Sequence, residues 1–168
     1  MVYQDAAWDW RKFDWDKDVA DLDRRISADI TATSPDLDAF ARRGGKLIMY
    51  QGWGDQLNGQ SLPIEYRRQV TARLGARRAE SVFKLYMAPG VGHCGGGPGP
   101  DHFDMLAALR AWVETGAAPA GIVATGGTAL PAGSSRLLCP YPQTARWDGR
   151  GDANKAGAFT CAASTSAR

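Results

Sequence analysis

With 168 residues, 44% hydrophobic and 23% charged side chains, the chain has the length and composition of one globular domain with a core of its own, which excludes a disordered or fibrous protein. Its 20 basic and 18 acidic residues leave a formal charge of +2, so no single-sign surface is expected and nucleic-acid binding is not indicated. No apolar run approaches the roughly 20 residues that span a bilayer, and residues 1–5 lack the basic and apolar regions of an export signal, so neither a membrane segment nor a signal peptide is expected in the chain.

Trp8, Trp10, Phe13 and Trp15 crowd the start of the chain, alternating with Asp9, Asp14 and the pair Arg11-Lys12. So many large rings need a surface to cover, and the segment reads as an irregular stretch packing on another layer. From Asp16 to Ile30 the apolar Val19, Leu22 and Ile26 recur at helical spacing, predicting a short amphipathic helix. Ser34-Pro35-Asp36 punctuates the chain; Leu37, Phe40 and Ala41 predict a further turn or two of helix, stopped at Gly44-Gly45. Residues 46–50, Lys-Leu-Ile-Met-Tyr, lie between that glycine pair and Gln51-Gly-Trp-Gly54 and read as a buried strand. Asp55 stands just past its end, where functional groups collect in open α/β sheets; an Asx-turn would also place an aspartate there.

Ser61 and Pro63 open a predicted helix with Leu62, Tyr66, Val70 and Leu74 along one face and Gly75 near its end. Residues 82–87 read as a second strand, giving a βαβ unit with a parallel pair. The loop that follows, residues 88–97, reads Ala-Pro-Gly-Val-Gly-His-Cys-Gly-Gly-Gly, and His93 holds after the second strand the place that Asp55 holds after the first. Glycines on both sides present an imidazole rather than pack it. Asp101 is read as the cap of a helix carrying Met105, Leu109 and Trp112, with His102 in its first turn and Gly116 and Pro119 at its end. Residues 121–125 read as one more short strand, and from Arg136 on the chain is expected to be mostly coil. Three cysteines are an odd count, so one stays free or bonds outside the sequence. Cys139 and Cys161 lie in the loop-rich tail; a bridge between them would stabilise the protein by roughly 3 kcal/mol and place it in an oxidising compartment.

An aspartate after one strand and a histidine after the next are the acid and base of a nucleophilic triad. Imidazole takes the nucleophile's proton and returns it to the leaving group, while the carboxylate fixes the ring's tautomer and stabilises the imidazolium. In α/β-hydrolases the order is Ser, Asp, His, so the serine belongs before Asp55. Only Ser27 and Ser34 precede it, neither in a Gly-x-Ser-x-Gly turn; Gly59-Gln-Ser-Leu-Pro63 follows the aspartate and lacks the second glycine, so Ser61 reads as a helix cap. Gly90-Val-Gly-His-Cys-Gly95 formally matches a dinucleotide-binding Gly-x-Gly-x-x-Gly, but Pro98 and Pro100 intervene before the helix. A metal set of His93, Cys94, Asp101 and His102 would need adjacent residues as joint ligands, and no Cys-x-x-Cys or His-x-x-x-His spacing supports it, so no metal or cofactor is expected.

Residues 35–40, 44–48, 52–55 (Gly-Trp-Gly-Asp), 89–97 (Pro-Gly-Val-Gly-His-Cys-Gly-Gly-Gly), 112–116 and 138–143 (Leu-Cys-Pro-Tyr-Pro-Gln) together resemble, in order and spacing, the C-terminal part of the tannase and feruloyl esterase family. The resemblance implies the C-terminal portion of an α/β-hydrolase fold, a partial parallel sheet with covering helices, lacking the N-terminal half and the lid domain. Residues 1–34 would return from that lid, 35–125 would form the βαβ core with the Asp and His loops, and 126–168 a disulfide-stapled tail. By the same resemblance Asp55 is the triad acid, His93 the triad base, and Cys139 and Cys161 the C-terminal disulfide. Cys94 would pair with a cysteine beside the nucleophilic serine in the missing part. The family's Gly-Cys-Ser elbow, oxyanion donors and lid calcium site would also lie there. The implied protein is a secreted or periplasmic serine ester hydrolase for small aromatic esters, of which this chain alone is a fragment with negligible activity. An apolar sheet edge would seek the missing N-terminal part or a second copy. A catalytically inactive binding module that keeps the fold is the alternative.

Overall fold

The computed structural model describes residues 3–164, so the first two residues of the leading segment and residues 165–168 of the tail lie outside the described residues. The chain divides into two units at the junction of Ser34 and Pro35. In the first unit, the Asp14 carboxylate accepts the N–H groups of Asp16 and Lys17 at 3.0 and 3.3 Å, and the Asp14 N–H donates to Asp18 at 2.8 Å. This reciprocal exchange ties the turn that leads into helix α1 (Asp18–Ile30), which starts without a side-chain cap. Tyr3 stacks on Trp8 with ring centroids 5.0 Å apart, and Phe13 meets Trp15 edge-on at 4.9 Å. Trp10 and Trp15 are 72% and 79% exposed.

The second unit starts with α2 (Asp38–Arg42) and runs through β1 (Leu47–Gly52), α3 (Ser61–Leu74), α4 (Ala76–Val82) and β2 (Phe83–Ala88). Strands β1 and β2 pair in parallel, in register from Leu47 opposite Phe83 to Gly52 opposite Ala88. Strand β2 is buried on both faces, and its side chains separate by the period of two that a pleat imposes. Phe83, Leu85 and Met87 pack with Val70 of α3 and Ala79 of α4; Tyr86 and Ala88 pack with Val91, Ile122, Ala124 and Leu138. Helix α5 (Met105–Thr115) and the antiparallel pair β3 (Ile122–Thr125) and β4 (Ser135–Leu138) follow, then a second antiparallel pair, β5 (Gln143–Trp147) with β6 (Phe159–Ala163).

Several sequence-based expectations change. The third strand is real but antiparallel to β4, so the parallel sheet holds only two strands among the described residues. Gly75 adopts φ 80° and ψ 150°, a conformation open to glycine, and restarts the chain as α4, a helix the sequence reading lacked. Leu62 is 63% exposed, and Pro63 and Val70 supply the buried side of α3 instead. Ser61 is the first helical residue and makes no capping bond. The cap of α5 is Asp104, whose side chain accepts the Ala107 N–H at 2.8 Å, rather than Asp101. His102 lies outside the helix and bridges Thr125 in an antiparallel contact. From Arg136 on the chain is not mostly coil but carries three of the four residues of β4 and all of β5 and β6.

Strand β5 is exposed along its whole length, and a lone two-stranded ribbon is marginal in water. The Cys139–Cys161 disulfide, closing a separation of 22 residues, ties β6 to the residue that follows β4. Replacing both cysteines by alanine should lower unfolding stability by about 3 kcal/mol and release amide-exchange protection in residues 143–163 before the rest of the chain. Unchanged protection in the double variant would show that the ribbon stands without its staple.

Candidate active site

Two loops leave the same edge of the parallel pair, and bare backbone lets them meet. The Trp53 N–H donates to the Ala88 carbonyl and the Gly54 N–H to the Val91 carbonyl, both at 2.9 Å. A Cβ on Gly52 would stand 2.2 Å from the Val91 oxygen, and one on Gly54 3.0 Å from it, so no larger residue fits without moving a loop. Gly52→Ala should therefore separate the loops, lowering the melting temperature by several degrees in a thermal scan and weakening the Asp–His contact described next.

Just past this junction the two residues singled out in the sequence meet: His93 Nδ1 lies 3.0 Å from Asp55 Oδ2. The Asp55 side chain is 3% exposed and that of His93 41%, so the acid is enclosed and the ring is presented. Asp55 is enclosed but not short of partners. Its Oδ1 accepts the N–H groups of Leu57 and Asn58 at 2.8 and 3.0 Å, and its Oδ2 accepts the Gln51 side-chain amide at 2.6 Å. The Asn58 N–H, the His93 ring and then the Leu57 N–H and Gln51 together hold the carboxyl well below the ordinary carboxylate range, against the opposing effect of desolvation. An ionised carboxylate only accepts, so the ring nitrogen facing it carries a proton, and Nε2 points away from the acid. Gln60 fixes the loop from behind, its amide donating to the carbonyls of Trp53 and Asp55 at 3.2 and 2.8 Å. The Asn58 side-chain amide stands 3.3 Å from the same ring nitrogen.

On the histidine loop, the Gly95 N–H returns to the His93 carbonyl at 2.8 Å, closing a tight turn around Cys94, whose φ is 60°. Cys94 is exposed and carries a free thiol, while Cys139 and Cys161 are joined to each other. Ser61 opens α3 and belongs to none of these contacts. Among the described residues no group of three or more His, Cys, Asp or Glu side chains is placed to hold a metal ion. Gln51, Asn58 and Gln60 escaped the sequence reading. For Asn58 and Gln60 the run Gln56-Leu-Asn-Gly-Gln60 after the aspartate was the available signal, since a buried carboxylate needs local donors.

Since the native pKa of Asp55 is depressed, its contribution to stability is complete above the ordinary carboxylate pKa of about 4 and declines as the pH falls below it. In Asp55→Asn the stability at neutral pH should be lower and the acid slope between pH 4 and 2 shallower than in the parent chain, as read from urea unfolding at each pH. Parallel slopes would mean that Asp55 is not bonded as an anion.

An ionised, enclosed aspartate that orients a presented histidine at the ends of adjacent parallel strands is the acid–base arrangement of hydrolases that act through a nucleophile. The profile of the family described as "Tannase and feruloyl esterase" matches residues 3–162. The chain belongs to that family, whose named members are carboxylic ester hydrolases. It is 46% identical over 135 residues to mono(2-hydroxyethyl) terephthalate hydrolase of Piscinibacter sakaiensis, covering 79% of this chain and 22% of that protein. It is 38% identical over 135 residues to a probable feruloyl esterase of Arthroderma benhamiae, covering 77% of this chain and 25% of that protein. Its backbone matches the crystal structure of an esterase from Aspergillus oryzae with a TM-score of 0.72 at 26% identity, over 96% of this chain and 36% of that one. The chain thus spans about a fifth to a third of the length of these proteins.

Proposed function

We propose that this chain supplies the acid and base of a serine carboxylic ester hydrolase that acts on esters of small aromatic acids. The observation that carries the reading is the 3.0 Å contact of a presented His93 with an Asp55 locked in its ionised form by its own loop. In this reading His93 Nε2 removes the proton of an attacking hydroxyl and later protonates the departing alcohol, while Asp55 keeps Nδ1 protonated and stabilises the imidazolium. The 168 residues contain no Gly-x-Ser-x-Gly turn, so the nucleophile and the oxyanion donors come from the part of the fold that the longer relatives possess. The two parallel strands are then the end of a larger α/β-hydrolase sheet, whose next strand pairs with the outer edge of β1. The aromatic acyl group rests on the relatives' names, mono(2-hydroxyethyl) terephthalate and ferulate esters among them. The disulfide suits an oxidising compartment outside the cytoplasm.

The purified chain should release no acid from methyl ferulate, methyl gallate or mono(2-hydroxyethyl) terephthalate above the buffer rate, because removing a triad serine alone costs about 10⁶ in turnover. Supplied with the nucleophile-bearing portion of a relative, it should gain hydrolysis that His93→Ala reduces by about 10⁴ or more. Turnover by the isolated chain, or turnover indifferent to His93, would sink the reading.

A further inference from the structure

We propose that Asp101 is a positioning residue for His93, acting through the backbone ring on which the histidine sits; the inference rests on the acid–base reading above. The ring runs from Gly92 to Gly96 and is closed by the Gly92 N–H donating to the Gly96 carbonyl at 2.9 Å, with the His93–Gly95 turn inside it. Cys94, at φ 60°, occupies a region that residues with a Cβ rarely adopt, and such a conformation persists only where the surroundings over-determine it. The residue that closes the ring is held through its other peptide: the Gly96 N–H donates to Asp101 Oδ2 at 2.8 Å.

The carboxylate is itself fixed. Its side chain is 19% exposed, and Oδ1 lies 3.6 Å from His102 Nε2. The Gly96 N–H, then the charge of His102 and the N–H groups of Asp101 and Gly127 favour its anionic form over the desolvation that opposes it. Gly126, at φ +81°, brings backbone so close that a Cβ there would stand 2.8 Å from Asp101 Oδ1. Beside it the Thr128 N–H and hydroxyl both donate to the Gly97 carbonyl, at 3.3 and 3.2 Å. Asp101 therefore couples the β3–β4 connection to the turn that aims the imidazole, although it touches neither His93 nor Asp55.

The test reads the ring directly and needs no turnover. In the ¹⁵N-histidine-labelled chain, the His93 Nδ1–H resonance, assigned by its disappearance in His93→Gln, should be present and slow to exchange at neutral pH. Asp101→Ala should keep cooperative unfolding and the Cys139–Cys161 bridge but exchange this proton about tenfold faster or lose its resonance. Asp101→Asn, whose amide oxygen still accepts the Gly96 N–H, should restore it. Gly126→Ala, which displaces the carboxylate without removing it, should reproduce the loss and decides the matter if Asp101→Ala fails to fold. A folded Asp101→Ala or Gly126→Ala chain with the parent's resonance and exchange rate would overturn the assignment and leave the acid–base reading standing. Absence of a bonded Nδ1–H in the parent chain would instead overturn that reading, and the role of Asp101 with it.

Discussion

Everything at this site depends on a stretch of backbone with nothing attached to it. At the ends of β1 and β2 the two chains run so close that the Gly52 and Gly54 positions abut the Val91 carbonyl, and the N–H groups of Trp53 and Gly54 bond across the gap. Parallel strands deliver their C-terminal ends to the same edge of a sheet, but strand spacing alone leaves two loops side by side rather than in contact. Removing side chains at the crossing closes that distance. Only then does a 3.0 Å bond between residues 38 positions apart become available without a helix or a metal to bridge them.

The same contact explains why one member of the pair is enclosed and the other presented. Asp55 follows the crossing immediately and is drawn under its own loop, where Leu57 and Asn58 turn their N–H groups back onto it. His93 follows two residues after Val91, on glycine-rich chain with little side-chain volume around it. A buried carboxylate without donors would protonate and lose its hold on the ring, so the local Asx-type turn and Gln51 are as much a part of the site as the acid itself. This is also why the Asx-turn and triad readings of Asp55 do not compete: Oδ1 makes the turn and Oδ2 faces the histidine.

How far the sequence disclosed this follows from where each signal was stored. The βαβ order was legible because β1 and β2 are short apolar runs between glycines, and that order carries Asp55 and His93 to one edge. The antiparallel ribbon of β5 and β6 was not legible, because Gln143–Trp147 is exposed throughout, and its short Thr-Ala-Arg-Trp alternation turns no face into the core. Its order comes from backbone pairing and the Cys139–Cys161 bridge. The misplaced cap of α5 has a similar origin. Asp101 and Asp104 are chemically equivalent in the sequence, and only the approach of Gly96 and Gly126 decides that the first serves the histidine loop while the second caps the helix.

The electrostatics of the pair also decide what kind of help Asp55 can give. Five contacts converge on its two oxygens and its carbonyl, and the carboxyl is held far below the range in which it would accept a proton from imidazole. In the proposed reaction the Nδ1 proton therefore stays on His93 when the ring becomes cationic, and the aspartate serves as a fixed negative charge that orients the ring and lowers the energy of the imidazolium. Donors on Asp55 weaken that attraction slightly by sharing its charge, yet they remove the alternative of proton transfer and the rotation of the carboxylate. Preorganisation of this kind favours geometry over raw charge, which is the balance the proposed base needs to receive a hydroxyl that its own loop does not carry.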